Sequence, residues 1–162
     1  MRLVFWAGFW IFLADQASKY LVVHMMNLKE VGSIDVLPPL LNLRMAWNYG
    51  INFGLFAGDN SSTRWILIGI AFVIIAFVLY WLRKEKFDRI GLISAGILIG
   101  GALGNIIDRV LYGAVADFLN MSCCGFTNPF SFNIADIAIF AGAFGMVIFG
   151  GEDNDEDKKN VA

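Results

Sequence analysis

The sequence predicts an all-α polytopic membrane protein, four transmembrane helices with a small β-element outside the bilayer, on three observations. The 162-residue chain is 58% hydrophobic and only 16% charged, where soluble domains carry roughly 25% charge. Its apolar residues form unbroken runs: 65–82 and 90–107 are charge-free over 18 residues each, close to the roughly 20 that cross a hydrocarbon core. Its lysines and arginines gather on one side of those runs, the asymmetry that sets membrane orientation.

The elements follow in order. The first span, about 3–23, is interrupted by Asp15, Gln16, Ser18 and Lys19. A cleavable signal peptide competes for this segment, but a charged Asp–Lys pair follows the apolar stretch and no Ala-x-Ala-like site comes after it. The second and third spans are about 65–82 and 90–107. The fourth, about 134–150, is apolar except for Asp136. Four spans put Arg2, Arg83, Lys84, Lys86, Arg89, Lys158 and Lys159 on one side. That side is cytoplasmic, with both termini, and loops 24–64 and 108–133 lie outside, which in a bacterium means the periplasm. In the first loop, LLNLRMAWNYGINFGLF (40–56) alternates partly and is punctuated by glycines, which predicts a surface β-element after the helix-stopping Pro38–Pro39. Residues 1–150 form one domain. The acidic segment 151–162 is expected to be a solvated, disordered cytoplasmic tail.

Composition also excludes. A net charge of −2 gives no basic footprint for nucleic acid. The adjacent Cys123 and Cys124 offer neither metal spacing nor a staple between distant segments, and read as two small loop residues. Glycines 96, 100 and 104, and Ala135, Ala138, Gly142 and Gly145, form small-residue stripes on the last two spans. Packing through them is expected to bring the end of the third span beside the start of the fourth.

Polar residues in or at the bilayer are functional candidates by default. Asp15 and Lys19 are four apart on one helical face, which fits an ion pair that eases insertion or one that positions something. Asn105, Asp108 and Arg109 share about one turn at the outer end of the third span. A structural pairing of Asp108 and Arg109 is favoured, since a neighbouring guanidinium holds a carboxylate ionised. Asp117, in VADF, has no adjacent cation. Asp136, in FNIAD, has the spacing of a capping box with Asn133. Two unpaired carboxylates at one membrane boundary outweigh capping alone.

The remaining chemistry narrows by what is missing. With His24 the only histidine and no GxSG-like turn, serine and cysteine nucleophiles lack a base. No HExxH-like cluster exists for zinc. Two carboxylates close together share one proton, so the ionised member can activate water while the protonated one polarises a carbonyl.

Five blocks in order, DQASK (15–19), NYGINFG (48–54), GGALGNIIDR (100–109), VADF (115–118) and FNIAD (132–136), resemble the motifs of the lipoprotein signal peptidases, or signal peptidase II family. The resemblance implies an intramembrane aspartyl endopeptidase of the bacterial inner membrane, its active site at the periplasmic side. It would remove signal peptides from prolipoproteins just before a diacylglyceryl-modified cysteine. It implies Asp117 and Asp136 as the catalytic dyad. Asp15, Asn48, Asn105, Arg109 and Asn133 correspond to residues that support the site or bind substrate, and Asp108, like Lys19, to a structural role. It further implies inhibition by globomycin, contact with membrane lipid, and no metal or organic cofactor; a monomer is expected. One departure stands out: Ile51 and Asn52 follow the glycine of the second motif where the family commonly has small residues, which bears on the shape of the substrate cradle. Two other classes remain. A transporter would show internal repeats and mid-membrane helix breaks, which are missing. A non-enzymatic anchor would tolerate Asp117→Asn and Asp136→Asn.

Overall fold

The computed structural model describes residues 1–50 and 61–150. The chain opens with α1 (Arg2–Lys19), which runs on into a π-helical turn, Tyr20–Met25, and a short α2 (Leu28–Val31). Strands β1 (Ser33–Leu37) and β2 (Leu41–Asn48) follow, then α3 (Ser61–Lys84), α4 (Arg89–Tyr112), β3 (Val115–Asn120) and α5 (Ile134–Phe149).

Among the described residues, two helices are long and apolar enough to cross a membrane on that ground alone: 23 residues from Ser62 to Lys84 and 24 from Arg89 to Tyr112. The apolar α5 is shorter, at 16 residues. The 18 residues of α1 include Arg2, Asp15 and Lys19, and these charges dilute its apolar character. Large side chains nonetheless project outward from α1, α3 and α5, among them Phe5, Trp10, Val73, Phe140, Phe144 and Val147, each at least 60% exposed. Phe140, Phe144 and Val147 lie at helical spacing on one face of α5. An apolar face that bare suits a lipid environment and would be unfavourable in water.

The helices meet through small residues, but not as the stripes alone suggest. A Cβ added at Gly96 would stand 2.5 Å from the Val4 carbonyl, and one at Gly100 would overlap the Gly8 backbone. The 96–100–104 face therefore belongs to α1. The α4–α5 contact uses other positions: a Cβ on Gly101 would stand 2.6 Å from the Ala135 carbonyl, and one on Gly142 2.6 Å from the Ser94 carbonyl. The two faces of α4 differ because residues four apart stay on one side while Gly101 is rotated by about 100° from Gly100. Ile68, Ile75, Ala102 and Ile106 form one apolar core between α3 and α4. Val78, Ala95, Leu98 and Met146 form another at the opposite end.

The β-element is larger than the sequence predicts. β1 and β2 pair antiparallel around the Pro38–Pro39 turn, and β3, from the loop after α4, adds antiparallel to β2 in the order β1-β2-β3. The predicted element extended to residue 56, and its part from 51 onward, with Ile51 and Asn52, lies outside the described residues. So does the acidic segment 151–162. Phe118 packs beneath the sheet with Val22, Leu28 and Leu43. β3 escaped prediction because it is buried along nearly its whole length, so VADFLN lacks the alternation of a half-exposed strand. The outer edge of β3 is also occupied: Leu119 N–H donates to Phe132 O at 2.8 Å, and Phe132 N–H returns to Leu119 O at 2.9 Å. That clip delivers the chain to the start of α5.

Candidate active site

Asn133 follows the clip directly and caps α5. Its side-chain oxygen accepts from Asp136 N–H at 2.9 Å, and the Asp136 carboxylate accepts from Asn133 N–H at 3.3 Å. The capping box expected from the spacing is present, and it does not exhaust either residue. Asn133 Nδ2 donates to Asp117 Oδ1 at 2.7 Å, while Asn105 Nδ2 donates to Asp136 Oδ1 at 2.9 Å. One fully buried asparagine thus grips both carboxylates. Asn48, at the end of β2, completes the set by donating to Asp117 Oδ2 at 3.0 Å.

Register explains why Asp117 is there. β3 places it opposite Ala46 in the β2 ladder, two residues from Asn48, and leaves it 2% exposed. Burial, and next the neighbouring Asp136 carboxylate, push Asp117 up from the ordinary carboxylate range to about 7; donors from Asn48 and Asn133 and the charge of Lys19 work the other way. A carboxyl group so placed keeps its proton near neutrality, as one member of a proton-sharing pair must.

A second carboxylate pair lies behind the first. Lys19 Nζ is 2.7 Å from Asp15 Oδ2 and 2.8 Å from Asp108 Oδ2. The i,i+4 pairing of Asp15 with Lys19 matches expectation, but Asp108 takes Lys19 as its partner rather than its neighbour Arg109. Adjacent helical residues point about 100° apart, so α4 turns Asp108 toward α1 and Arg109 away from it. Arg109 stands instead in the field of Asp136, Asp117 and Asp108. Its Nη1 approaches the Asn105 carbonyl at 3.4 Å, and its buried Nε has no protein partner among the described residues.

All nine site candidates from the sequence thus fall in one cluster formed by β2, β3 and the neighbouring ends of α1, α4 and α5. Sequence reasoning missed Gln16, whose Nε2 donates to Asp15 Oδ2 at 3.1 Å and Asp108 Oδ1 at 3.0 Å. Its place inside DQASK was the available signal. It also missed Ser131, which donates to the Arg44 carbonyl at 2.9 Å and ties the segment before α5 to β2; nothing in the sequence marks that contact. Cys123 and Cys124 are disulfide-bonded to each other in the loop after β3 and join no distant segments. No cluster of metal-ligating side chains occurs among the described residues.

The chain resembles known proteins over most of its length. The family model for "Signal peptidase (SPase) II" matches residues 8–150. A lipoprotein signal peptidase of Vibrio parahaemolyticus is 36% identical over 94% of this chain and 90% of its own. One from Methylobacterium sp. is 36% identical over 83% and 79% respectively. Among solved structures, a bacterial membrane enzyme determined by the in meso method at 2.3 Å superposes with a TM-score of 0.77 at 29% identity, over 91% of this chain and 87% of that one. A second, at 1.9 Å, gives 0.76 at 28%, over 91% and 92%. With the family's model matching nearly the whole described chain, this protein belongs to the signal peptidase II family of aspartic peptidases.

Proposed function

We propose that Asp117 and Asp136 form the catalytic dyad with which this chain removes signal peptides from prolipoproteins. The observation that carries this reading is the buried Asn133, which hydrogen-bonds both carboxylates and holds the buried Asp117 and the half-buried Asp136 together. Held close, the pair shares one proton. The ionised member takes a proton from water, whose oxygen attacks the scissile carbonyl. The protonated member gives its proton to the carbonyl oxygen, forming a tetrahedral diol. The proton taken from water then passes to the departing nitrogen, the C–N bond breaks, and the diol returns a proton to the dyad. The products are a signal peptide with a free carboxylate and a new N-terminal amine. The titration belongs to the pair rather than to either aspartate.

Cleavage falls, in this reading, just before a diacylglyceryl-modified cysteine, with the lipid chains remaining in the bilayer. Asn48, Asn105 and Asn133 orient the carboxylates, and the unpartnered Nε of Arg109 is a donor for a substrate carbonyl. Globomycin would compete for the same space. The topology has four spans: α1 with its π turn and α5 cross alongside α3 and α4. At 1.5 Å per residue, 16 helical residues reach about 24 Å, and flanking residues supply the remainder. The basic ends are cytoplasmic, and the dyad faces the periplasm of a bacterial inner membrane.

The test is cleavage of a diacylglyceryl-modified prolipoprotein by purified wild type, Asp117→Asn and Asp136→Asn, each checked for folding and for substrate binding. Both variants are expected to lose at least ~10³-fold in kcat while still binding. Near wild-type turnover by either one makes that aspartate a structural residue and refutes the dyad.

A further inference from the structure

The Lys19 cluster is more than a neutralised defect in α1. Lys19 is 6% exposed, Asp15 0% and Asp108 1%. A buried ion cluster of this kind is weak evidence for stability, because apolar side chains of similar volume often serve as well. Its second contacts indicate what else it does. Asp15 Oδ1 accepts the main-chain N–H of Ala135 at 2.9 Å. Asp108 Oδ2 accepts the main-chain N–H of Ala116 at 3.1 Å. Ala135 immediately precedes Asp136, and Ala116 immediately precedes Asp117. Each proposed catalytic aspartate is thus one residue beyond a peptide group pinned by a carboxylate, and the two pinning carboxylates meet on one ammonium. Asn105, which grips Asp136, also turns its Oδ1 toward Lys19 Nζ at 3.5 Å.

We propose that Lys19 is a positioning residue for peptide hydrolysis, setting the distance between the two catalytic aspartates through Asp15–Ala135 on one arm and Asp108–Ala116 on the other. The inference rests on the dyad reading above. Without the ammonium, Asp15 and Asp108 become two buried like charges with only Gln16 between them. They separate or take up a proton, and both main-chain anchors move with them. A misplacement of about 1 Å at reacting groups can lower a rate ~10²-fold. Lys19 also acts on the dyad by charge, since it opposes the upward push on Asp117. Asp117 is faced by Asp136 on α5, by Arg109 on α4 and by Lys19 on α1. Lys19 itself is faced by Asp15 and Asp108 and, across a small outer cavity of about 100 Å³, by Tyr20, His24 and Tyr112.

The experiment compares full-length wild type, Lys19→Met and Lys19→Arg in detergent, with kcat, KM and the pH profile of kcat/KM taken per folded molecule. Lys19→Met should lose about 100-fold in kcat with KM within about twofold. The alkaline limb of its pH profile should move to higher pH, because a cation that favours ionised Asp117 has gone. Lys19→Arg should restore much of the rate. If Lys19→Met does not fold, the double variant Asp15→Asn with Lys19→Met keeps the net charge of the cluster and an acceptor for Ala135, and should show the same loss. Wild-type kcat per folded molecule with an unmoved pH limb, in whichever variant folds, overturns the proposal. Asp117→Asn and Asp136→Asn run alongside. Their inactivity beside a fully active Lys19→Met refutes the positioning role alone, and their activity refutes the dyad on which it rests.

Discussion

Two pairs of carboxylates sit back to back in this molecule, all buried except the half-buried Asp136, and they are held by opposite means. Asp15 and Asp108 share an ammonium, Lys19, at 2.7 and 2.8 Å. Asp117 and Asp136 share one residue, Asn133, which donates its side-chain amide to the first and its main-chain N–H to the second, and each has a further asparagine, Asn48 and Asn105. The ammonium favours the ionised form of whatever it touches. The amides fix position and leave room for a proton to be held or passed on. On the proposed dyad reading, the same side chain is made inert or reactive by its partner, and the Lys19 ammonium belongs to the scaffold while Arg109 stands beside the dyad.

That contrast can be broken from the amide side with the largest effect. Asn133→Ala removes the donor to Asp117 and the cap of α5 together. It should lower kcat about 100-fold and cost about 1 kcal/mol of stability from the lost cap, read by single-turnover cleavage and thermal unfolding. Asn133→Ala at near wild-type kcat would mean the amide bridge is not what organises the dyad. A smaller effect is expected where the two pairs meet. A Cβ on Gly104 would stand 2.5 Å from Asp15 Oδ2, so Gly104→Ala must displace the Asp15 arm. The expected cost is about 1–3 kcal/mol in stability with a roughly tenfold loss of rate; an unaffected protein would show that the ion cluster tolerates movement.

The smallest effect is a shift along the pH axis. Asp117 is pushed up to about 7 with Asp136 as the second cause, so its proton is present below that pH and lost above it. Activity that needs one shared proton should fall as pH rises through about 7. In Asp136→Asn the neighbouring charge is gone, and Asp117 should titrate lower than in wild type, followed by its carboxyl stretch in infrared difference spectra. An unchanged titration would show that the two aspartates are not coupled.

Much of this was legible in the sequence because bilayer and chemistry both leave local marks. Charge-free runs mark α3 and α4, and Asp15 with Lys19, four apart, announces an ion pair. Asn133 and Asp136, three apart, announce a cap. What stayed hidden depends on register and rotation between distant segments. β3 could not be read because burial on both faces erases alternation. The partner of Asp108 is 89 residues away on α1 and comes from the angle at which α4 presents adjacent side chains. The Gly96–Gly100–Gly104 stripe was visible and was read as packing on the fourth span, whereas α1 fills it. Main-chain anchors such as Ala116 and Ala135 have no sequence signature, because any residue except proline supplies the N–H.

The bond from Ala135 to Asp15 joins α5 to α1, across 120 residues. During synthesis α1 is made long before α5 exists, and Asp15 must wait for that partner. Lys19, one turn away on the same helix, is available at once, so the pair can neutralise itself while α1 is still alone. Asp108 can join when α4 arrives, and the last amide closes the cluster only when α5 is complete. A chain assembled in that order cannot bring Asp136 beside Asp117, the pair proposed as the dyad, until α5 has been made.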